Sequence, residues 1–191
     1  ALEKLRSGMF VDARESSITK NVEEIWEGVK GVRFFDHFCL CTDDREADDI
    51  LHVGHMNDVV RTAIRSGMDP VTAIKSATFN TAREIHLENL GAIAPGYVAD
   101  MLIVSDLREL KPDYVFFGGK LVAEMGQMSV PIEDREYPLE KVNTMYVREL
   151  TEEDFRIKAP VENGTVTVNV MEYPDIHLTS TELTTAQLPV K

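Results

Sequence analysis

Cysteine is scarce in this sequence: Cys39 and Cys41 are the only two in 191 residues, and one residue separates them. Such a pair builds no disulfide framework, so a reducing cytoplasm is the expected setting. Long apolar runs are missing as well. Stretches such as Met101-Leu102-Ile103-Val104 are strand-sized, far below the ~20 residues of a membrane span. Basic charge is in short supply, with 20 Lys+Arg against 33 Asp+Glu and a net charge of −13. Polyanion binding needs a cationic face, so neither nucleic acid nor a membrane surface is an expected partner. The opening Ala1-Leu2-Glu3-Lys4-Leu5-Arg6 is no signal peptide and reads as the middle of a helix. G-x-S-x-G, P-loop and Rossmann glycine fingerprints are absent, as are P-C-x-x-C and H-x-H.

What remains is a globular composition, 43% hydrophobic and 28% charged. The length buries a real core but falls short of the ~250 residues of a complete (β/α)8 barrel. Residues 9–13 read as a short strand. A helix is predicted from about Thr19, which can cap it, with Val22, Ile25, Trp26 and Val29 on one face and Gly31 as its stop. Phe34 to Cys41 is nearly all apolar, as in a strand buried on both faces of a parallel sheet, with Asp36 and His37 inside it. A helix follows over about His55 to Ser66. Asp69-Pro70 pairs an N-cap with proline at the first helical position. Asn80 is expected to cap a further short helix. After Leu90 the pattern changes: Tyr97 to Val104 reads as a strand, and Tyr114–Phe117 with Lys120–Glu124 as a hairpin around Gly118-Gly119. From about Ser129 the chain is acidic, with a β-rich stretch at Thr165–Val170 and a Thr-rich tail over 178–191 that carries no strong terminus signal.

In parallel α/β architectures the reacting groups stand at the carboxyl ends of the strands. Asp43, just past the apolar strand, is there. A carboxylate so placed binds a metal ion and takes a proton from its water, or it merely caps the next turn; position alone leaves both open. Asp44 follows it, pointing the other way if the segment is extended. Arg14-Glu15-Ser16-Ser17 occupies the equivalent place after the first strand, as a ligand-binding loop or a solvated turn. His52 and His55 have H-x-x-H spacing but no completing ligand, so they read as a surface pair. His37 reads as a hydrogen-bonded core residue. Cys39 and Cys41 share a strand face with nothing nearby to complete a metal site, so they read as small core residues.

Two phrases carry a family resemblance. Leu90-Gly91-Ala92-Ile93-Ala94-Pro95-Gly96-Tyr97-Val98-Ala99-Asp100 resembles L-G-x-I-x-x-G-x-x-A-D of the amidohydrolase superfamily, where the chain leaves its barrel and re-enters a small β domain. Pro70 to Ala82 resembles the superfamily's P-x-x-A-I-x-x-A-T-x-N-x-A helix after the eighth barrel strand. Within the superfamily, Ala1–Met9, Arg14–Ser17, Cys41–Arg45 and the stretch from Asp49 to His55 resemble the bacterial-type adenine deaminase family. Ser16 departs from it, replacing the glycine of R-E-G-S; if that glycine has a positive φ, Ser16 strains the turn.

The resemblance implies an α/β fold: the last two strand-helix units of a (β/α)8 TIM barrel, followed by part of a small antiparallel β domain. Residues 1–89 are then the C-terminal portion of the barrel, 90–128 a β-domain hairpin segment, and 129–191 an acidic β-rich segment leading into a further domain. The chain is expected to be an internal piece of a longer polypeptide, with the other metal ligands upstream of Ala1. The resemblance further implies that Asp43 is a metal ligand and proton shuttle. In the family reaction hydroxide made at the metal attacks C6 of adenine, giving hypoxanthine and ammonia. Glu15, Ser17 and Asp44 are implied as substrate contacts. The implied metal is iron or manganese, with zinc possible. The implied partner is adenine, in a cytoplasmic purine-salvage enzyme that is a homo-oligomer at full length. The competing readings are another amidohydrolase, dihydroorotase-like or deaminase-like, and a non-catalytic scaffold made of the same pieces.

Overall fold

A computed structural model describes residues 1–133, 136–174 and 181–190. The chain is α/β, with one unit spanning residues 1–130 and a second built mainly from residues 131–174 and the C-terminal strand. Among the described residues no helix is long and apolar enough to cross a membrane.

The first unit opens with α1 (Leu2–Arg6), which ends at Ser7 and a left-handed Gly8, φ +77°. Strand β1 (Val11–Arg14) pairs in parallel with β2 (Phe38–Cys41), from Val11 opposite Phe38 to Arg14 opposite Cys41. Helix α2 (Val22–Val29) connects them, and α3 (Ala47–His52), α4 (Met56–Arg65), α5 (Pro70–Ala77) and α6 (Phe79–Glu84) follow. Strand side chains alternate between faces. Val11, Ala13, Phe38 and Leu40 therefore enter one core with Val22, Trp26 and Val29 of α2, Val59, Val60 and Ala63 of α4, and Ala73 of α5. Asp12 and Cys39, paired in register, face the other way from this set.

Several expectations are corrected here. Helix α2 begins at Val22 with Asn21 as its N-cap, not at Thr19. The Asn21 side chain accepts the Arg14 N–H (2.9 Å), while Thr19 is turned back onto Ser16. The apolar run 34–41 is strand only from Phe38. Phe34 is exposed, and His37 precedes the strand, its ring 4.4 Å from that of Phe10. Asn80 does not cap α6; Thr78 stands at the N-cap position, its hydroxyl donating back to the Ile74 carbonyl (2.7 Å). Asn80 is fully buried, and its Nδ2 donates to the carbonyls of Phe35 (2.6 Å) and Phe38 (2.9 Å), clamping α6 to the entry of β2. Asp69 is the expected cap, accepting from Thr72 N–H at 3.0 Å.

Residues 101–128 form an antiparallel sheet in the order β3 (Met101–Val104), β4 (Pro112–Phe117), β5 (Lys120–Glu124), β6 (Gln127–Met128). The strand expected from Tyr97 starts only at Met101. Gly118 and Gly119 have φ of +55° and +77°, as a two-residue hairpin turn requires. The turn is held from outside: Asp100 Oδ1 accepts from Gly118 N–H (2.7 Å) and the Ala99 carbonyl from Gly119 N–H (2.9 Å). Gly91 is required for a different reason. Its φ is +85°, and a Cβ there would lie 2.7 Å from the Thr78 carbonyl oxygen and from Phe79 Cα. Gly91→Ala is expected to cost about 2–4 kcal/mol, combining left-handed strain with a backbone collision. A urea-unfolding free energy within about 0.5 kcal/mol of wild type would contradict this packing.

The second unit contains α7 (Leu139–Val142), a 3-10 turn at Glu152–Phe155, and a hairpin of β7 (Thr165–Glu172) and β8 (Glu182–Pro189). The two strands pair along their full length, from Thr165 opposite Pro189 to Glu172 opposite Glu182. The Thr-rich tail is thus a strand over 182–189; its residues 178–180 and 191 lie outside the described residues.

Candidate active site

The loops that leave β1 and β2 are laced into one structure. Glu15 N–H donates to the Cys41 carbonyl (3.1 Å), Ser17 N–H to the Asp44 carbonyl (2.9 Å), and Glu46 N–H to Ser17 Oγ (2.8 Å). Ser17 Oγ in turn donates to Asp49 Oδ2 at the start of α3. Glu15, Ser17, Asp43 and Asp44, singled out from sequence, therefore belong to one loop pair at the carboxyl ends of the two parallel strands.

Asp43 has φ +56°, so the chain is not extended there and simple alternation does not set the directions of Asp43 and Asp44. Aspartate tolerates this left-handed conformation better than most residues. The carboxylate is held from both sides. Arg14 pairs with Oδ2, and Asp44 N–H donates to Oδ1 at 2.7 Å. The Arg14 guanidinium holds the Asp43 carboxyl below the usual carboxylate range, helped by the Asp44 N–H, so the group is ionised at neutral pH. Asp44 is exposed, and its carboxylate has no hydrogen bond or ion pair among the described residues.

Glu15 is buried, and that burial pushes its carboxyl up. Lys20, the Val22 N–H at the start of α2 and Arg45 pull in the opposite direction, while Asp58 adds to the rise. Ser16 is buried as well. Its hydroxyl donates to the Thr19 carbonyl and accepts the Thr19 N–H, both at 2.8 Å. It is not among the described residues with positive φ, so serine in place of glycine carries no left-handed strain.

His52 ends α3 and lies against Asp48, whereas His55 is the N-cap of α4. The H-x-x-H spacing spans a break between helices, so the two rings share no helical face.

The cysteines are not as isolated as the sequence suggests. Ligating atoms of Asp12, Cys39 and Glu84 lie within 4.8 Å of one another, and α6 supplies the third member. Glu84 could not be placed beside Cys39 from sequence because 45 residues separate them. Burial pushes the Cys39 thiol up to about 12, and burial together with Asp12 pushes Glu84 up. The Cys39 thiol is hydrogen-bonded to Thr81 and Glu84. Asp43 fits a metal. It is ionised, and each of its oxygens accepts one hydrogen bond, leaving lone pairs for a hard cation.

Residues 3–122 match the sequence profile of the Amidohydrolase family. The adenine deaminase of Kosmotoga olearia is 40% identical over 163 residues, covering 85% of this chain and 28% of that protein. Adenine deaminase 1 of Carboxydothermus hydrogenoformans is 41% identical over 184 residues, covering 93% of this chain and 30% of that protein. The adenine deaminase of Geobacillus kaustophilus is 37% identical over 191 residues, 97% of this chain and 32% of its own length. This chain thus spans 28–32% of the length of these relatives. With a profile match over residues 3–122 and loops gathered at the carboxyl ends of a parallel strand pair, the chain belongs to the amidohydrolase family.

Proposed function

We propose that the chain works as part of a longer metal-dependent adenine deaminase and contributes Asp43 to its centre. The observation that carries this reading is the 37–41% identity to proteins named adenine deaminase. The ionised Asp43 carboxylate at the end of β2 supports it. On this reading residues 1–89 are the last two strand-helix units of a (β/α)8 barrel, 90–128 the start of a small β domain, and 129–191 an acidic segment leading onward. The proposed setting is cytoplasmic, in keeping with the scarcity of cysteine. A homo-oligomeric full-length enzyme rests on the family resemblance alone.

The family generally uses a divalent metal, and here Asp43 would be one of its ligands. Iron or manganese suits a carboxylate and imidazole ligand set, and zinc also does. When bound, the metal supplies the Lewis acidity that makes water nucleophilic near neutral pH. The chain's own part is proton handling. Asp43 accepts the proton lost by the water as its oxygen bonds to C6 of adenine. It then delivers that proton to the exocyclic nitrogen, the C6–N bond breaks, and hypoxanthine and ammonia leave. Arg14 fixes the carboxylate through one oxygen and leaves the remaining lone pairs directed elsewhere. Asp44, with its unengaged carboxylate, is the substrate contact of this loop. Glu15 and Ser17 shape the pocket mouth, held by Val22, Glu46 and Asp49.

The longer enzyme, metal-replete, should release equal amounts of ammonia and hypoxanthine from adenine and leave dihydroorotate intact. Ring hydrolysis of dihydroorotate with no ammonia from adenine would replace this reading with the dihydroorotase-like one. Residues 1–191 alone are expected neither to bind a metal tightly nor to deaminate adenine, because one carboxylate does not hold a metal that normally takes several protein ligands. Ammonia release by the purified chain above a metal-only blank would contradict that.

A further inference from the structure

Two residues beyond Asp43, Arg45 leaves the loop and turns inward. Its side chain is only 3% exposed. One guanidinium nitrogen donates to the Glu15 carbonyl (2.8 Å), on the loop after β1. The other terminal nitrogen donates to Asp58 Oδ2 (2.7 Å), on the first turn of α4, whose side chain is 10% exposed. Arg61 approaches the second Asp58 oxygen at 3.3 Å. Arg45 therefore ties three elements together: the loop that bears Asp43, the loop that bears Glu15, and a core helix.

Stability explains this arrangement poorly. A buried ion pair recovers its desolvation cost only when its geometry and remaining hydrogen bonds are complete. Arg45 Nε has no partner among the described residues. An apolar side chain of similar volume would meet the packing need. What an apolar residue cannot do is fix the register of two loops by a planar, two-pronged donor. The Asp43 loop has that need: its backbone is left-handed at Asp43, and the other ties to the neighbouring loop among the described residues are the partly exposed Arg14–Asp43 ion pair and the bonds of Glu15 N–H, Ser17 N–H and Ser17 Oγ, none of which reaches the core helix.

We propose that Arg45, locked on Asp58, is a positioning residue that sets where the Asp43 carboxylate stands. It acts on turnover through that placement and does not touch substrate. The inference rests on the proposed role of Asp43. A misplacement of about 1 Å can cost on the order of 100-fold in rate.

The experiment compares Arg45→Lys, Arg45→Met and Asp58→Asn in the metal-replete longer enzyme, with turnover expressed per bound metal and thermal midpoints measured alongside. Lysine keeps the charge but makes one contact at a time, so kcat should fall roughly 10-fold, with a loss of about 100-fold for methionine. KM for adenine should move less than about threefold, since ground-state binding is not what Arg45 serves. The Arg45→Met/Asp58→Asn double variant should lose no more kcat than the worse single variant, because both break one lock. Asp58→Asn, which loses the ion pair but keeps an oxygen acceptor facing Arg45, serves if the methionine variant does not fold, with an expected kcat loss of roughly 10-fold. Lowered thermal midpoints with normal kcat per bound metal would overturn the proposal, as would additive losses in the double variant. Asp43→Asn separates the two failures. If it is inactive while the Arg45 variants turn over normally, only the positioning role falls. If it is active, the reading of Asp43 falls with it.

Discussion

Asp43→Asn should remove nearly all turnover from the metal-replete longer enzyme while leaving its fold intact. The amide keeps the shape of the side chain. It also keeps the backbone, because asparagine accepts the left-handed conformation that Asp43 adopts at φ +56°. The oxygen that accepts from Asp44 N–H can be retained, and the lost ion pair with Arg14 is partly exposed and so costs little stability. What disappears is the capacity to take a proton and the negative charge that would attract a metal. General acid–base work contributes about 10²–10⁴ in rate, and weaker metal activation of water adds to the loss. If Asp43 were only a turn cap, the substitution would cost about 1 kcal/mol of stability with near-normal turnover. Kinetic constants for ammonia release, measured with thermal midpoints, distinguish these outcomes.

Phe38→Ala is expected to have the largest effect on stability, about 3–5 kcal/mol. Phe38 is fully buried in the core that joins β1, β2, α2, α4 and α5, and its ring meets that of Phe35 edge-on at 6.2 Å. Its carbonyl also takes one of the two Asn80 donors, so loosening β2 loosens the attachment of α6. Such a loss is a large share of the 5–15 kcal/mol that holds a typical domain. Chemical denaturation of the variant beside Phe38→Leu, which refills most of the space, measures it. An alanine variant within about 1 kcal/mol of wild type would show that this core is not what holds β2.

The parallel strand pair, its helices and the glycine hairpin were legible because each has a local signal. These are the apolar runs, the helical spacing of Val22, Ile25, Trp26 and Val29, and Gly118-Gly119. The family phrases also acquire physical reasons. Gly91 sits against the Thr78–Phe79 backbone, and Asp100 holds the hairpin turn. What stayed hidden depends on contacts between distant residues. Asn80 looks like a cap in sequence because asparagine favours caps, yet its partners, Phe35 and Phe38, are more than 40 positions away. Thr19 lost the cap position because the 14–21 segment folds onto itself, and Asn21 was drawn to Arg14 N–H. The Arg45–Asp58 pair and the Asp12–Cys39–Glu84 cluster have no spacing signal at all. At the candidate site, the position of Asp43 after β2 was legible, whereas its clasp by Arg14 needed the parallel register that sets Arg14 opposite Cys41.

The most direct test of the central claim, that Asp43 is the carboxylate this chain gives to adenine deamination, is kcat of Asp43→Asn beside Asp44→Asn in the metal-replete longer enzyme. The account predicts an inactive Asp43 variant and an Asp44 variant that keeps most of its turnover, since Asp44 is exposed and is proposed only as a substrate contact. An active Asp43→Asn, whether Asp44→Asn is dead or alive, would contradict it.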